Sequence, residues 1–394
     1  MTVRPGKLDP QVSVDYFRKF ARELQKITIF LQIFVLLALA LTAAGCTKPA
    51  PTLSWRKANL PGLTRDAIDC AGRWYVVGTV PGPGDATRPA AWDSTDGRTW
   101  RSLTFAPLPG SYYGPQQVIS SVGCSNGTVA MVGAKPGGAH GNPRVSTWRQ
   151  RPDGVLAEVA ATFETYGGDQ AVNVGHIVGG PAGFLITGNR TSGAAVWLSP
   201  DGASFRLYEN VPGLAGDATT ETVARDAAPA ADGRWVVVGA AARTGSLDQA
   251  PAIWLGDTWN PVTVHSARGA TWNRATVHSD GGYNELQRAV QLGDDIVAVG
   301  PRGSGFGAWI GHGTQWAEAG AFGGATGTVL SLAAAGSSLF ALVQIGSERA
   351  LWRSTDRAGT WQQLALPGAT PTAVAGRAGT VLLAADGEVW TAAL

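Results

Sequence analysis

The sequence predicts an all-β fold, a seven-bladed β-propeller of four-stranded blades, and three observations carry that prediction. A tryptophan closes a short apolar strand seven times at roughly even spacing, at Trp92, Trp148, Trp197, Trp254, Trp309, Trp352 and Trp390. Ahead of each stands a run rich in β-branched residues, often ending in glycine: WYVVG at 74–78, VAMVG at 129–133, FLITG at 184–188, WVVVG at 235–239, IVAVG at 296–300, LFALV at 339–343 and VLLAA at 381–385. The composition, with 53 Gly, 15 Trp and only 15% charged residues, favours many short strands joined by tight turns over long amphipathic helices. A repeat of about 40–50 residues is the mark of a propeller or a solenoid.

The chain opens on a different kind of sequence. Arg18, Lys19, Arg22 and Lys26 precede an apolar run from Ile27 to Gly45, which suits either a signal peptide or one membrane-anchor helix. We therefore set residues 1–45 apart from the globular region, with 46–52 as a short linker and 53–394 as the propeller. The small residues Ala43, Ala44 and Gly45 stand directly before Cys46. This resembles the lipobox of bacterial lipoproteins, and the resemblance implies that Cys46 is lipidated, becomes the new N-terminus, and holds the protein on the outer side of the cell membrane. Several acyl chains, each buried methylene contributing roughly 0.8 kcal/mol, make a firm anchor. The alternative is an uncleaved helix with an incidental cysteine.

Within the propeller region the units follow one order. A first strand and a Gly, Asp or Asn turn precede each apolar run, as in AIDCAGRW and VARDAAPAADGRW; the run is short and apolar enough to be buried on both faces. The tryptophan strand comes third. The fourth strand reads TWRSLTF, SFRLY, TWNPVTV, TQWAEA or TWQQLAL. The last unit stops at Leu394, one strand short, while LSWRKANLPG at 53–62 looks like the fourth strand TWRSLTFAPLPG at 99–110. The opening strand is thus expected to complete the last blade and leave no free sheet edge. A six-bladed count would strand one tryptophan unit.

Three turns between third and fourth strands share a pattern: STDGRTW at 94–100, SPDGASF at 199–205 and STDRAGTW at 354–361. They resemble the Asp-box, or BNR repeat, of sialidases, sortilin-type receptors and secreted propellers. The physics is local: Ser and Asp oxygens accept backbone N–H bonds, Gly supplies positive φ, and the aromatic packs between blades. The box marks a fold and implies no catalysis.

Charge and motifs narrow the chemistry. The leader holds six of the 31 basic and three of the 29 acidic residues, so the chain goes from +2 to −1 without it, and no basic stripe for nucleic acid is visible. Composition poor in lysine and rich in arginine, alanine and glycine fits a high-GC bacterium such as an actinobacterium. His140, His176, His265, His278 and His312 have no metal-ligand spacing, and no nucleophile or phosphate-binding motif and no cofactor signature is found. Sialidases use an arginine triad and a Tyr–Glu pair; Arg65, Arg225 and Arg288 on inner strands, with Tyr283 and Glu285, are weak channel-lining counterparts. The plainer reading pairs these arginines with neighbours such as Asp66 and Asp226.

No catalysis is evident, and the expected role is a protein- or glycan-binding scaffold of the cell envelope, a monomeric propeller, with a sialidase-like or other glycan-active hydrolase as the alternative. In propellers, ligands usually sit on the face opposite the Asp-boxes. There the loops 108–117, 164–170 and 265–285 would present Tyr112, Tyr113, Tyr166, Trp272, His278 and Tyr283. Cys70 and Cys124, at matching places after the first strands of blades one and two, form an even pair suited to a disulfide in an oxidising compartment.

Overall fold

In the computed structural model the described residues are 50–137, 143–256, 271–278 and 282–394. The apolar leader, Cys46, and residues 265–270 and 279–281 of the 265–285 segment therefore lie outside them. The chain divides into two compact units, of which Pro51–Leu394 is the propeller.

Seven antiparallel sheets succeed one another, each entered by its innermost strand: Leu63–Cys70, Val118–Ser125, Ala171–Gly180, Thr220–Pro229, Arg288–Leu292, Thr328–Ala335 and Pro371–Arg377. The inner strands of successive blades lie side by side, and that of blade seven lies beside that of blade one. The seven marker tryptophans each face the apolar run of their own blade, from Trp92 opposite Val76 to Trp390 opposite Leu383. Five of them are essentially sealed from solvent. Their indoles and the neighbouring runs fill the spaces between blades, so the protein has one apolar layer per blade pair and no single central core.

The glycine that ends many of these runs has a steric cause. A Cβ at Gly78, Gly239 or Gly300 would run into the carbonyl oxygen of Leu63, Val223 or Glu285 on the adjoining inner strand or the segment that leads into it. The three Asp-containing turns are held as their side chains allow. Ser94 Oγ accepts from Gly97 N at 2.9 Å, while Asp96 Oδ1 accepts from Arg98 N and Thr99 N, both at 2.8 Å. Ser354 and Asp356 repeat this, but Ala358 occupies the glycine position at φ +67°.

Arg56–Asn59 pairs antiparallel with Glu388–Ala393, and Lys57 stands opposite Trp390 with its amine 5.4 Å from the ring centroid. Two details depart from the simple four-strand reading. Blade two gains a short fifth strand, Phe105–Ala106, parallel to Leu156–Glu158. The fourth strand of blade four is Trp272–Ala275, paired with Gln249–Gly256; TWNPVTV, expected there, lies at 258–264 outside the described residues. Trp272, expected on a ligand loop, is 4% exposed in the core with Leu214, Tyr208 and Trp254, because it packs as a blade residue. Among the described residues no helix is long and apolar enough to cross a membrane.

Candidate functional site

Six of the seven inner strands carry a register shift near their start, as between Thr64 and Asp66 or Ala224 and Asp226. A bulge leaves one residue unpaired and re-aims its neighbours. In four blades the re-aimed side chain is an acceptor for the next blade's backbone. Asp66 takes Val122 N at 3.0 Å, Ser121 takes Ile177 N at 3.0 Å, Asp226 takes Ala289 N at 3.0 Å, and Ser331 takes Val374 N at 3.2 Å. Within blade three the bulge holds His176. Its Nδ1 lies 2.7 Å from Asp226 Oδ1 and its Nε2 3.2 Å from Asp66 Oδ2, tying blades one, three and four at the axis.

These groups border a channel cavity of about 210 Å³, otherwise lined by apolar residues together with Asp69, Ser331 and Arg288. Burial by itself pulls His176 toward its neutral form, but Asp226 and then Asp66 outweigh it and push the pKa up to about 10. Burial likewise opposes ionisation of Asp226; the His176 charge and hydrogen bond, Arg288 and the Ala289 N–H hold it below the usual carboxylate value. The channel centre is a closed ion-pair knot whose oxygens already have partners.

The three channel arginines do not converge. Arg65 donates to the Thr64 carbonyl at 2.7 Å with Asp386 nearby at 3.7 Å, Arg225 pairs with Glu285, and Arg288 donates to the Leu330 and Gln287 carbonyls at 3.0 and 2.7 Å. Asp66 and Asp226, the neighbours suggested by sequence, are instead taken up by His176, because the bulge turns each carboxylate away from the arginine before it. Tyr283 donates to Glu285 Oε2 at 2.8 Å. Burial and then the Glu285 carboxylate push its phenol up to about 12. Among the described residues no group of three or more His, Cys, Asp and Glu is placed to hold a metal ion.

The larger concavity lies elsewhere, between blades two and three, on the face formed by loops entering the inner strands. It encloses about 650 Å³. One wall is the turn from Leu108 to Ser111, fixed by Glu158 at the end of strand Leu156–Glu158. That buried carboxylate accepts from Leu108 N at 3.0 Å, Ser111 Oγ at 3.0 Å and Ser146 Oγ at 2.7 Å. The opposite wall is the short helix Phe163–Tyr166, leading through a Gly167–Gly168 turn to Val172. Leu108, Phe163 and Val172 are 38, 59 and 57% exposed, so the walls offer apolar surface to solvent. At the third wall Arg144 opens strand Arg144–Gln150, its guanidinium carbon 5.0 Å from the Phe163 ring centroid and 5.8 Å from that of Tyr113.

The residues singled out in sequence scatter around this geography. Tyr112 is 72% exposed and meets Tyr113 edge-on at 4.9 Å, both beside the pocket. Tyr166 lines the pocket but is buried, its hydroxyl 3.1 Å from Thr147 Oγ1; burial pushes its phenol up, and it is floor and not an exposed contact. His278 and Tyr283 are at the surface near blades four and five, apart from the pocket's lining. Cys70 and Cys124 are joined in a disulfide with Cα atoms 5.6 Å apart, between the inner strands of blades one and two. Arg144, Phe163, Glu158 and His176 had no signal as site residues, since each sits in an unremarkable stretch and gains its role from neighbours remote in sequence.

No protein-family description matches the chain, and no curated protein does. Solved structures share its fold. YCF48 bound to a D1 peptide aligns at 14% identity with a TM-score of 0.53, over 88% of this chain and 98% of that one. YjhT aligns at 10% identity and 0.46, over 78% and 99%. The β-propeller domain of the Trilobed protease from Pyrococcus furiosus, described as an open velcro topology, aligns at 9% and 0.49, over 82% and 91%. At these identities the likeness is one of fold.

Proposed function

We propose that this chain is a lipid-anchored propeller on the extracytoplasmic side of the membrane of a high-GC bacterium, and that it binds a segment of another protein in the pocket between blades two and three. The observation that carries the reading is that pocket: about 650 Å³, walled by exposed Leu108, Phe163 and Val172 and braced from behind by Glu158. Exposed apolar and aromatic surface on a rigid scaffold is where recognition energy concentrates. A peptide bound to a propeller of the same fold supports the choice of a protein partner. The anchor rests on the basic stretch, the apolar run and LTAAGC before Cys46, and the Asp-box assignment on the three turn sequences. Pairing of Arg56–Asn59 with the last strand supports closure of the ring by the opening of the exported region.

The test is affinity capture from detergent-solubilised membranes with the full chain as bait. Phe163→Ala combined with Val172→Asp should lose the captured partner while the melting temperature holds; capture that survives would refute the site. Labelling with a radioactive fatty acid, in the native chain and in Cys46→Ala, decides the anchor. A glycan-active hydrolase draws support from the Tyr283–Glu285 contact and Arg225, but a phenol held protonated is poorly set as a nucleophile. Sialoside turnover that disappears in Tyr283→Phe would restore that reading.

A further inference from the structure

We infer that the pocket between blades two and three reads an acidic side chain, an Asp or Glu carried within an apolar stretch of the bound segment, through Arg144. This rests on the peptide-binding reading above and adds the chemistry of the ligand.

Arg144 is an arginine without an acid. Among the described residues no carboxylate or carbonyl takes up its guanidinium, and its Nε is shut off from water with no acceptor. What holds it are two ring faces, Phe163 at 5.0 Å and Tyr113 at 5.8 Å. The two rings hold the planar fork, whose terminal nitrogens are not sealed as Nε is, and a fork held in this way suits carboxylate recognition. Glu158, which lines the pocket, does not serve, because both its oxygens are occupied by Leu108, Ser111 and Ser146. Asp169 also borders the pocket, on the outer turn beside Gly168.

A side-chain carboxylate is favoured over a chain terminus. Termini are captured by nests of free backbone amides, and four amides of the pocket's turns are already spent: Ser111 N on Leu108 O, Thr165 N on Thr162 O, Gly167 N on Phe163 O and Ala171 N on Gly168 O. The apolar walls then suit the residues on either side of the acid.

The test uses two pools of N-acetylated, C-amidated pentapeptides with randomised apolar flanks around a central Glu or a central Gln, and a third Gln-centred pool with a free C-terminal carboxylate. Each is captured on the immobilised full chain in detergent and quantified by mass spectrometry. The Glu pool should be enriched roughly tenfold over both Gln pools. Arg144→Gln should erase that preference, and Arg144→Lys should keep part of it at unchanged melting temperature. Equal retention of Glu and amidated Gln pools would overturn the carboxylate assignment and leave peptide binding standing. Preference for the free C-terminus would overturn it in favour of terminal capture. Retention of none would overturn both readings.

Discussion

His176 Nδ1 lies 2.7 Å from Asp226 Oδ1, so a residue of blade three and one of blade four are joined by an ion pair at the wall of the channel. Asp66 of blade one completes the knot on the other ring nitrogen. The His176 pKa is raised from 6.5 to about 10, so its contribution to stability is complete below pH 6.5 and is lost as pH climbs through 10. Asp226 is depressed below 3.8, so its share is present above 3.8 and disappears as pH falls through the lowered value. Urea unfolding should therefore show stability declining from pH 6.5 to 10 in the native chain.

Replacing His176 by Gln should cost about 3 kcal/mol at pH 6, because two buried carboxylates lose their counter-charge. A quarter of the His176 side chain is open to the channel, which keeps the figure at the lower end of the range for such pairs. The same unfolding series on the variant should be nearly flat between pH 6.5 and 10. A variant as pH-sensitive as the native chain would refute the assignment.

The bridge between Cys70 and Cys124 spans 54 residues and links two neighbouring inner strands. Cys70→Ser with Cys124→Ser should lower stability by roughly 2–4 kcal/mol, chiefly by freeing the unfolded chain. Intact mass with and without reductant after alkylation should show two thiols appearing only on reduction.

Ala71 sits at φ +51° beside Gly72 in the hairpin between the first two strands of blade one, and it is exposed. A two-residue turn of this hand favours Asn-Gly, and a Cβ of Ala gains nothing there. Ala71→Asn should raise stability slightly, read as a small rise in melting temperature; a fall would contradict the turn.

Gly239→Ala should destabilise by roughly 1–3 kcal/mol, since the added carbon meets the rigid Val223 carbonyl. Gly324, with open space around it, is the control and should tolerate Ala with little change. Calorimetry on the pair separates steric conflict from general intolerance of glycine replacement.

Trp272→Ala should cost about 3–5 kcal/mol as a core truncation, whereas Tyr112→Ala should stay within about 0.5 kcal/mol. Both aromatics look alike in sequence, each in a polar stretch rich in small residues. Denaturant midpoints that ranked them the other way would undo the burial of Trp272 and the exposure of Tyr112.

The repeat was legible along the chain because blade packing imposes one local rule seven times. An apolar run must fill both faces, a tryptophan must cap the gap, and glycine must stand where a carbonyl of the inner strand crowds in, as at Gly78 and Gly239. Such rules act within about fifty residues, and linear sequence records them. The site obeys no such rule. Asp66, His176 and Asp226 are 110 and 50 residues apart yet share two hydrogen bonds, since a ring brings every inner strand to one axis. Arg144 meets Phe163 and Tyr113 only where two blades abut, and Glu158 reaches back to Leu108 to shape the wall between them. Sequence alone set the number and order of the blades, while closure of the circle decided which charges are spent on each other and which one is left facing a pocket.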